Sequence, residues 1–347
     1  MTRIALIMAG GTGERFWPLS SKARPKQLLR MTDSGRMMLE ETVMRVEQIF
    51  GIENVFIITS ESLVDPIREE MPELAAHVVA EPDKRNTAGG ILWGMGIVAA
   101  LLDDSDLTFA IFPSDHVIKP TEAFHKTVLE GLDFAERDGR LVTVGIKPTR
   151  PETGYGYIER GATVRDDCSL VARFVEKPDL KTAEKLLKTK KVFWNSGMFF
   201  WTLPTFLAEI AKASPVHASA FNEIVSSVKQ GRTVVAEIAF RELPDISIDH
   251  ALLEKSGNVG LVEAGYEWDD IGAWDALERI LDVDAQGNAV KGNACLIDSA
   301  RCVVHNSSPN QVIKLLGVED LVVVATPDAI LVCPKSLAQE VKRLAGE

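Results

Sequence analysis

Short apolar runs recur along the chain at residues 4–8, 55–59, 109–112, 141–146, 171–175 and 198–201. Several are rich in β-branched residues and bounded by polar or turn residues, so they predict buried strands. Between them the apolar positions change to a helical spacing. Leu39, Val43, Val46 and Phe50 share one helical face, as do Phe124, Val128, Leu132 and Ala135. Residues 87–102 form a longer helix candidate. Strands that alternate with helices predict an α/β fold, Rossmann-like, with a mostly parallel sheet covered on both faces.

The pattern changes near Asp282. Residues 284–288, Asp-Ala-Gln-Gly-Asn, are a turn signal. Short strand-like pieces follow at 294–297, 302–305, 312–316, 321–325 and 330–332, then a helix is expected over 336–344. This divides the chain into a catalytic-sized domain, 1–283, and a small β-rich unit with a terminal helix, 284–347.

The first strand leads into Gly10-Gly11-Thr12-Gly13-Glu14-Arg15, with Arg24-Pro25-Lys26-Gln27 shortly after. Gly10, Gly11 and Gly13 let the backbone turn sharply and aim N–H groups at an anion. Arg15 and Lys26 add positive charge beside that nest, so the segment reads as a phosphate-binding device. It is not a Walker loop, which needs Gly-Lys-Ser/Thr. It departs from the dinucleotide fingerprint because Phe16 stands where a third glycine belongs. Ligands of parallel sheets bind beyond the carboxyl ends of the strands. Residues 10–15, Ser114-Asp115-His116 and Glu176-Lys177-Pro178 each follow a strand, and are expected to meet over one crevice.

Composition narrows the partners. A formal net charge of −12 disfavours nucleic acid and anionic membranes. No apolar run approaches the roughly 18–20 residues that span a bilayer, and the N-terminus enters a strand without a basic leader. The four cysteines, at 168, 295, 302 and 333, lack Cys-x-x-Cys spacing; reduced thiols in a cytoplasmic protein are expected.

Further motifs run in order along the chain: Glu81-Pro82, Arg85-Asn86-Thr87-Ala88, Pro113-Ser114-Asp115-His116, Gly154-Tyr155-Gly156-Tyr157-Ile158, Glu176-Lys177-Pro178, Trp194-Asn195-Ser196-Gly197-Met198 and Trp268-Asp269-Asp270-Ile271-Gly272. With the glycine-rich turn and Pro25-Lys26-Gln27, they resemble the nucleotidyltransferase family that makes sugar nucleotides from a nucleoside triphosphate and a sugar 1-phosphate. Within it, the likeness is to the branch that uses GTP and mannose 1-phosphate.

The resemblance implies a nucleotide-diphospho-sugar transferase type of sheet, with a short left-handed β-helix-like appendage. It implies catalytic roles for Arg15, Lys26 and Lys177. Nucleotide binding falls to Gly10, Gly11, Gly13, Glu81, Asn86, Thr87 and Ser114. Sugar-phosphate binding falls to Gly156, Glu176 and Asn195. It implies magnesium (Mg2+) on Asp115 and Asp270, with Asp270 preferred to Asp269. A carboxylate at 81 could accept from the N1–H and 2-amino group of guanine together. His116 reads as structural, and helix capping is the alternative role of Asn86 and Thr87. A homodimer is expected, as is often found in the family. Relatives with an added isomerase domain are much longer, so that second activity is not implied.

Rival readings keep the enzyme class but change the sugar (GDP-heptose) or the base (ADP- or UDP-glucose). Others are a non-catalytic regulatory homologue and a nicotinamide dehydrogenase.

Overall fold

The computed structural model describes residues 1–11, 13–165 and 167–345. Thr12 of the glycine-rich turn lies outside the described residues. Contacts divide the chain into two compact units, neither continuous in sequence. The first comprises Met1–Gly10, Val43–Pro113 and Lys119–Glu267. The second comprises Gly11–Thr42, Ser114–Ile118 and Trp268–Glu347.

In chain order the strands are β1 (Thr2–Met8), β2 (Val55–Ser60), β3 (Val78–Glu81), β4 (Leu107–Pro113), β5 (Val117–Lys119) and β6 (Leu141–Ile146). Then come β7 (Tyr157–Arg165), β8 (Cys168–Val175), β9 (Val192–Thr202), β10 (Val259–Glu263) and β11 (Glu267–Asp269). Six short strands follow: β12 (Ala289–Lys291), β13 (Ala294–Ile297), β14 (Val303–Asn306), β15 (Ile313–Leu316), β16 (Leu321–Ala325) and β17 (Ile330–Pro334).

The first unit is built on a nine-stranded sheet in the order β3-β2-β1-β4-β9-β6-β10-β8-β7. The pairs β1–β2, β2–β3, β1–β4 and β6–β10 are parallel. Ile4 to Ile7 in β1 are fully buried, because a strand inside a covered parallel sheet has no solvent face. This is why the central strands read as unbroken apolar runs. Helix Asn86–Leu102 is buried along most of its length and packs its Ile91, Leu92 and Met95 into the same core.

Two strands run against the rest, β9 and β8. That corrects one expectation. Glu176 does follow a strand, but β8 is antiparallel to β10, so the carboxyl-end rule does not deliver it to the site. It is placed instead by pairing: Tyr157 of β7 faces Val175 of β8 on one side and Trp194 of β9 on the other. The residues after Val175 are thereby drawn beside Asn195.

The second unit contains the glycine-rich turn from Gly11 onward, Lys26 and both candidate metal-ligand aspartates together with the β-rich end of the chain. Strands β12, β14 and β16 stack in parallel, with Ala289 beside Val303 and Val303 beside Val322. Strands β13 and β15 pair in parallel on another face. Successive turns of chain stacked this way make a β-helix. Its interior is Ala289, Val303, Val322 and Val324, all fully buried. Phe16 and Trp274 join this core, with ring centroids 5.3 Å apart. The third-glycine position of a dinucleotide loop is thus filled by a packed aromatic ring. The expected terminal helix is present, and it is of the 3-10 kind, Lys335–Arg343. Ala338 and Val341, three residues apart, are its buried positions, and a three-residue period puts both on one edge.

Candidate active site

In the second unit the glycine-rich turn folds back on Lys26. Gly13 has φ +62, and a Cβ there would lie 2.5 Å from the Lys26 backbone nitrogen and 2.8 Å from its Cβ. Only glycine meets both demands. Gly11 is also left-handed, at φ +108, and its carbonyl is 3.4 Å from Gln27 Nε2.

Lys26 is 7% exposed. Its Nζ lies 2.8 Å from Asp115 Oδ2 and also donates to the backbone carbonyl of Asp270. One ammonium therefore joins the two aspartates named as metal ligands. Burial would raise the Asp115 carboxyl, but the Lys26 ammonium, through its charge and its hydrogen bond, and the neighbouring His116 outweigh it and hold it below the ordinary carboxylate range. Ser114 is buried, and its carbonyl accepts from Thr42 Oγ1 at 3.2 Å. The indole of Trp268 donates to His116 Nδ1 at 3.1 Å, which fits His116 as a structural residue.

Asp269 and Asp270 have different surroundings. Asp269 is 8% exposed, is gripped by the Arg279 guanidinium, and accepts from Ile271 N–H at 2.8 Å. Ile271 itself holds φ +42, an uncommon conformation for a β-branched residue. Arg15 is exposed, and its Nη1 reaches the Gly272 carbonyl at 3.4 Å. Among the described residues no group of three or more His, Cys, Asp or Glu forms a metal cluster. A cation already sits between Asp115 and the Asp270 carbonyl, and the hard oxygen donors there suit a divalent ion.

The first unit brings Gly156, Glu176 and Asn195 together. The Asn195 N–H donates to the Gly156 carbonyl at 2.8 Å. A Cβ on Gly156 would collide with Glu176 Oε2, so a side chain there would displace the glutamate carboxylate. Lys177 Nζ is 3.0 Å from Glu176 Oε1, and its backbone is left-handed at φ +44.

Asn195 is held at both ends of its amide. Its Oδ1 accepts from Thr143 Oγ1 at 3.0 Å, and its Nδ2 donates to Asp249 Oδ1 at 2.7 Å. Asp249 escaped the sequence reading, since a lone aspartate after Ser247-Ile248 carries no motif. It opens a single π turn, Asp249–Leu253, in which Glu254 N–H bonds back to its carbonyl at 2.9 Å. Burial, and then the charge of Glu176, raise the Asp249 carboxyl to about 6.

Also in the first unit, Glu81 ends β3, and burial pushes its carboxyl up to about 7. Asn86 and Thr87 do not cap their helix through side chains. Asn86 instead adopts φ +55 and accepts from Thr87 N–H at 2.9 Å. Thr87 Oγ1 accepts from Ile248 N–H at 2.9 Å. The helix start is thereby tied to the residue preceding Asp249.

The chain is 36% identical over 347 residues to a mannose-1-phosphate guanylyltransferase of Escherichia coli, covering 98% of this chain and 72% of the relative. The chain belongs to the mannose-1-phosphate guanylyltransferase family. The Nucleotidyl transferase family model matches residues 4–287, and the MannoseP isomerase/GMP-like beta-helix model matches residues 281–347. A crystal structure from Thermus thermophilus, described as a mannose-1-phosphate geranyltransferase, superposes with a TM-score of 0.89 at 33% identity. That match covers 100% of this chain and 99% of the other. A Helicobacter pylori structure described as a mannose-6-phosphate isomerase gives a TM-score of 0.62 at 26% identity, over 78% of this chain and 100% of that one. The guanylyltransferase family accounts for both the α/β sheet and the β-helix. Among the described residues no helix is long and apolar enough to cross a membrane.

Proposed function

We propose that the family's activity is carried out here as GTP + α-D-mannose 1-phosphate → GDP-mannose + pyrophosphate, by in-line attack on the α-phosphorus of GTP. The observation that carries this is the Lys26 ammonium shared by Asp115 and the Asp270 carbonyl, next to the glycine-rich turn. It supports a site built for phosphate and for cations.

A phosphate oxygen of the sugar 1-phosphate forms the new bond to phosphorus, and the bond to the β-phosphate bridging oxygen breaks. The attacking group needs no general base. A phosphate monoester with second pKa of about 6 is mostly dianionic at neutral pH. The obstacle is repulsion between anions. Arg15, Lys26 and the N–H groups of Gly10, Gly11 and Gly13 offset the charge of the triphosphate and of the departing pyrophosphate. Lys177 holds the attacking phosphate. Gly156, Glu176 and Asn195 orient the sugar hydroxyls. Glu81 accepts from the guanine edge, with Asn86, Thr87 and Ser114 completing the nucleotide contacts. Asp115 and Asp270 would hold Mg2+, which when bound supplies positive charge for the α-phosphate. Catalysis on this reading is positioning plus electrostatics.

The reading takes residues 1–283 as the catalytic domain, with 284–347 as the β-helix, in a cytoplasmic homodimer. Its test is pyrophosphate release. Four nucleoside triphosphates are paired with mannose, glucose and fucose 1-phosphates in the presence of magnesium. GTP with mannose 1-phosphate should give the highest kcat/KM. A higher value for another base or sugar would reassign the substrates.

A further inference from the structure

The second unit contains a recess of about 680 Å³, within the usual range for small-molecule sites of roughly 300–1,000 Å³. None of the residues assigned to the substrates lines it. Its walls include Arg24 and Arg30 from the segment after the glycine-rich turn. The β-helix contributes Lys291, His305, Ser307 and Thr326. Among the described lining residues Asp328 is the one carboxylate. The lining carries three cations against one carboxylate in a chain whose net charge is −12, with Glu40 3.8 Å from Arg30 and with Asp33 and Glu41 near Lys291 behind the wall.

The polar groups are built in rather than draped over the surface. Parallel pairing of β12 and β14 sets Lys291 beside His305. The Lys291 ammonium donates to the Thr32 carbonyl and has three N–H groups in all, so donors remain for a ligand. Burial pulls the Lys291 pKa down, and Asp33 and Glu41 pull it back up. His305 is 4% exposed, and its Nδ1 has no hydrogen-bond partner among the described residues. Burial and the neighbouring Lys291 push the imidazole down to about 4, so the ring is neutral at physiological pH and adds no charge to the wall. Arg24 has its guanidinium at the surface. Like charges lining one recess repel, and a bound anion relieves that repulsion.

We propose that this recess binds a phosphate-bearing small molecule at a site separate from the substrates, and that its occupancy adjusts Lys26. The route is short. Ser21 and Arg24 clasp each other through reciprocal backbone bonds of 3.0 and 3.1 Å, and Pro25-Lys26 follow directly. An anion drawn onto Arg24 therefore acts on the segment that sets the Lys26 ammonium against Asp115. The effect on Lys26 rests on the proposed function; the binding does not.

The test is calorimetric titration of inorganic phosphate and, separately, pyrophosphate, with no substrate present. The titrated proteins are the full chain, the Arg30→Gln/Lys291→Met variant and Lys26→Met. The full chain should show two classes of site. The recess variant should lose at least about tenfold in affinity at one class, as expected for removing charge-assisted hydrogen bonds, and Lys26→Met should lose at the other. Tighter binding of pyrophosphate than phosphate at the recess assigns a diphosphate ligand; equal binding assigns a monophosphate. A single class abolished by Lys26→Met overturns the proposal, as does a folded recess variant with both classes intact. If the double variant does not fold, Arg24→Gln at the exposed position repeats the test. An unchanged kcat when phosphate saturates the recess overturns the link to Lys26 alone.

Discussion

The Nδ2 amide of Asn195 donates to Asp249 Oδ1 at 2.7 Å, while Thr143 Oγ1 donates to Asn195 Oδ1 at 3.0 Å. An asparagine amide fixed at both ends can present its remaining N–H in only one direction. Asp249 thus positions the residue assigned to the sugar, and its own carboxylate interacts with Glu176.

Asp249→Ala is expected to raise KM for mannose 1-phosphate by about 10- to 100-fold, the range for losing a hydrogen bond to a charged group. Asp249→Asn keeps an acceptor and should cost less. The KM for GTP should change little in either variant. Steady-state kinetics with each substrate varied in turn checks this, and an equal rise in both KM values would show general damage instead.

Lys26→Met and Arg15→Ala are expected to lower kcat by about 10²–10³-fold, the usual cost of removing a preorganised charge-stabilising group. Lys26→Met also strips Asp115 of the ammonium that lowers its pKa. In the parent chain that stabilisation is present above the unfolded carboxylate value and is lost as pH falls through the folded one. The variant should therefore lose stability mainly at neutral pH and little in strong acid. Urea unfolding at several pH values separates this from the kinetic effect. Wild-type turnover in either variant would remove that residue from the phosphate site.

Asp270→Asn should weaken magnesium binding at the site. The magnesium concentration for half-maximal rate is expected to rise by about tenfold or more, alongside a loss of kcat, because hard carboxylate oxygens dominate such sites. Asp269 is engaged by Arg279, so Asp269→Asn should act on stability rather than on the metal titration. A magnesium titration of both variants distinguishes the two aspartates.

Glu81 supplies a pH dependence. Burial raises its carboxyl from 4.5 to about 7 in the fold. The folded state then binds the proton more tightly than the unfolded state, so stability rises as pH falls from about 7 toward 4.5. Glu81→Gln should accordingly stabilise the chain by about 3 kcal/mol at pH 8 and by almost nothing at pH 4. Its KM for GTP should rise and lose pH dependence, whereas in the parent chain KM for GTP should climb as pH drops below about 7. Denaturant curves at two pH values and a KM profile provide the check.

The expected runs 55–59 and 109–112 lie within β2 and β4, and 141–146 coincides with β6. Strands β3 and β10 carry little signal of their own, being the short pieces Val-Val-Ala-Glu and Val-Gly-Leu-Val-Glu, although Pro82-Asp83 follows the first and Ser256-Gly257-Asn258 precedes the second. The residues proposed for the site from the sequence all stand in motifs. Asp249 was not legible, because nothing local distinguishes it from any helix-starting aspartate.

What the chain determines by itself is local. Apolar runs become strands because covering both faces of a parallel sheet leaves few positions for a polar side chain, and those, such as Thr143, are hydrogen-bonded. Gly13 marks a turn because its φ of +62 and its contact with Lys26 both exclude a Cβ. What the tertiary structure alone decides is which distant groups share a charge. The meeting of Lys26 with Asp115, and of Asn195 with Asp249, follows from strand order and from desolvation, which no single segment encodes. The same holds for the grouping of Gly11–Thr42 and Ser114–Ile118 with the β-helix. A titration behaviour such as that of Glu81 exists only once burial has removed the water around it.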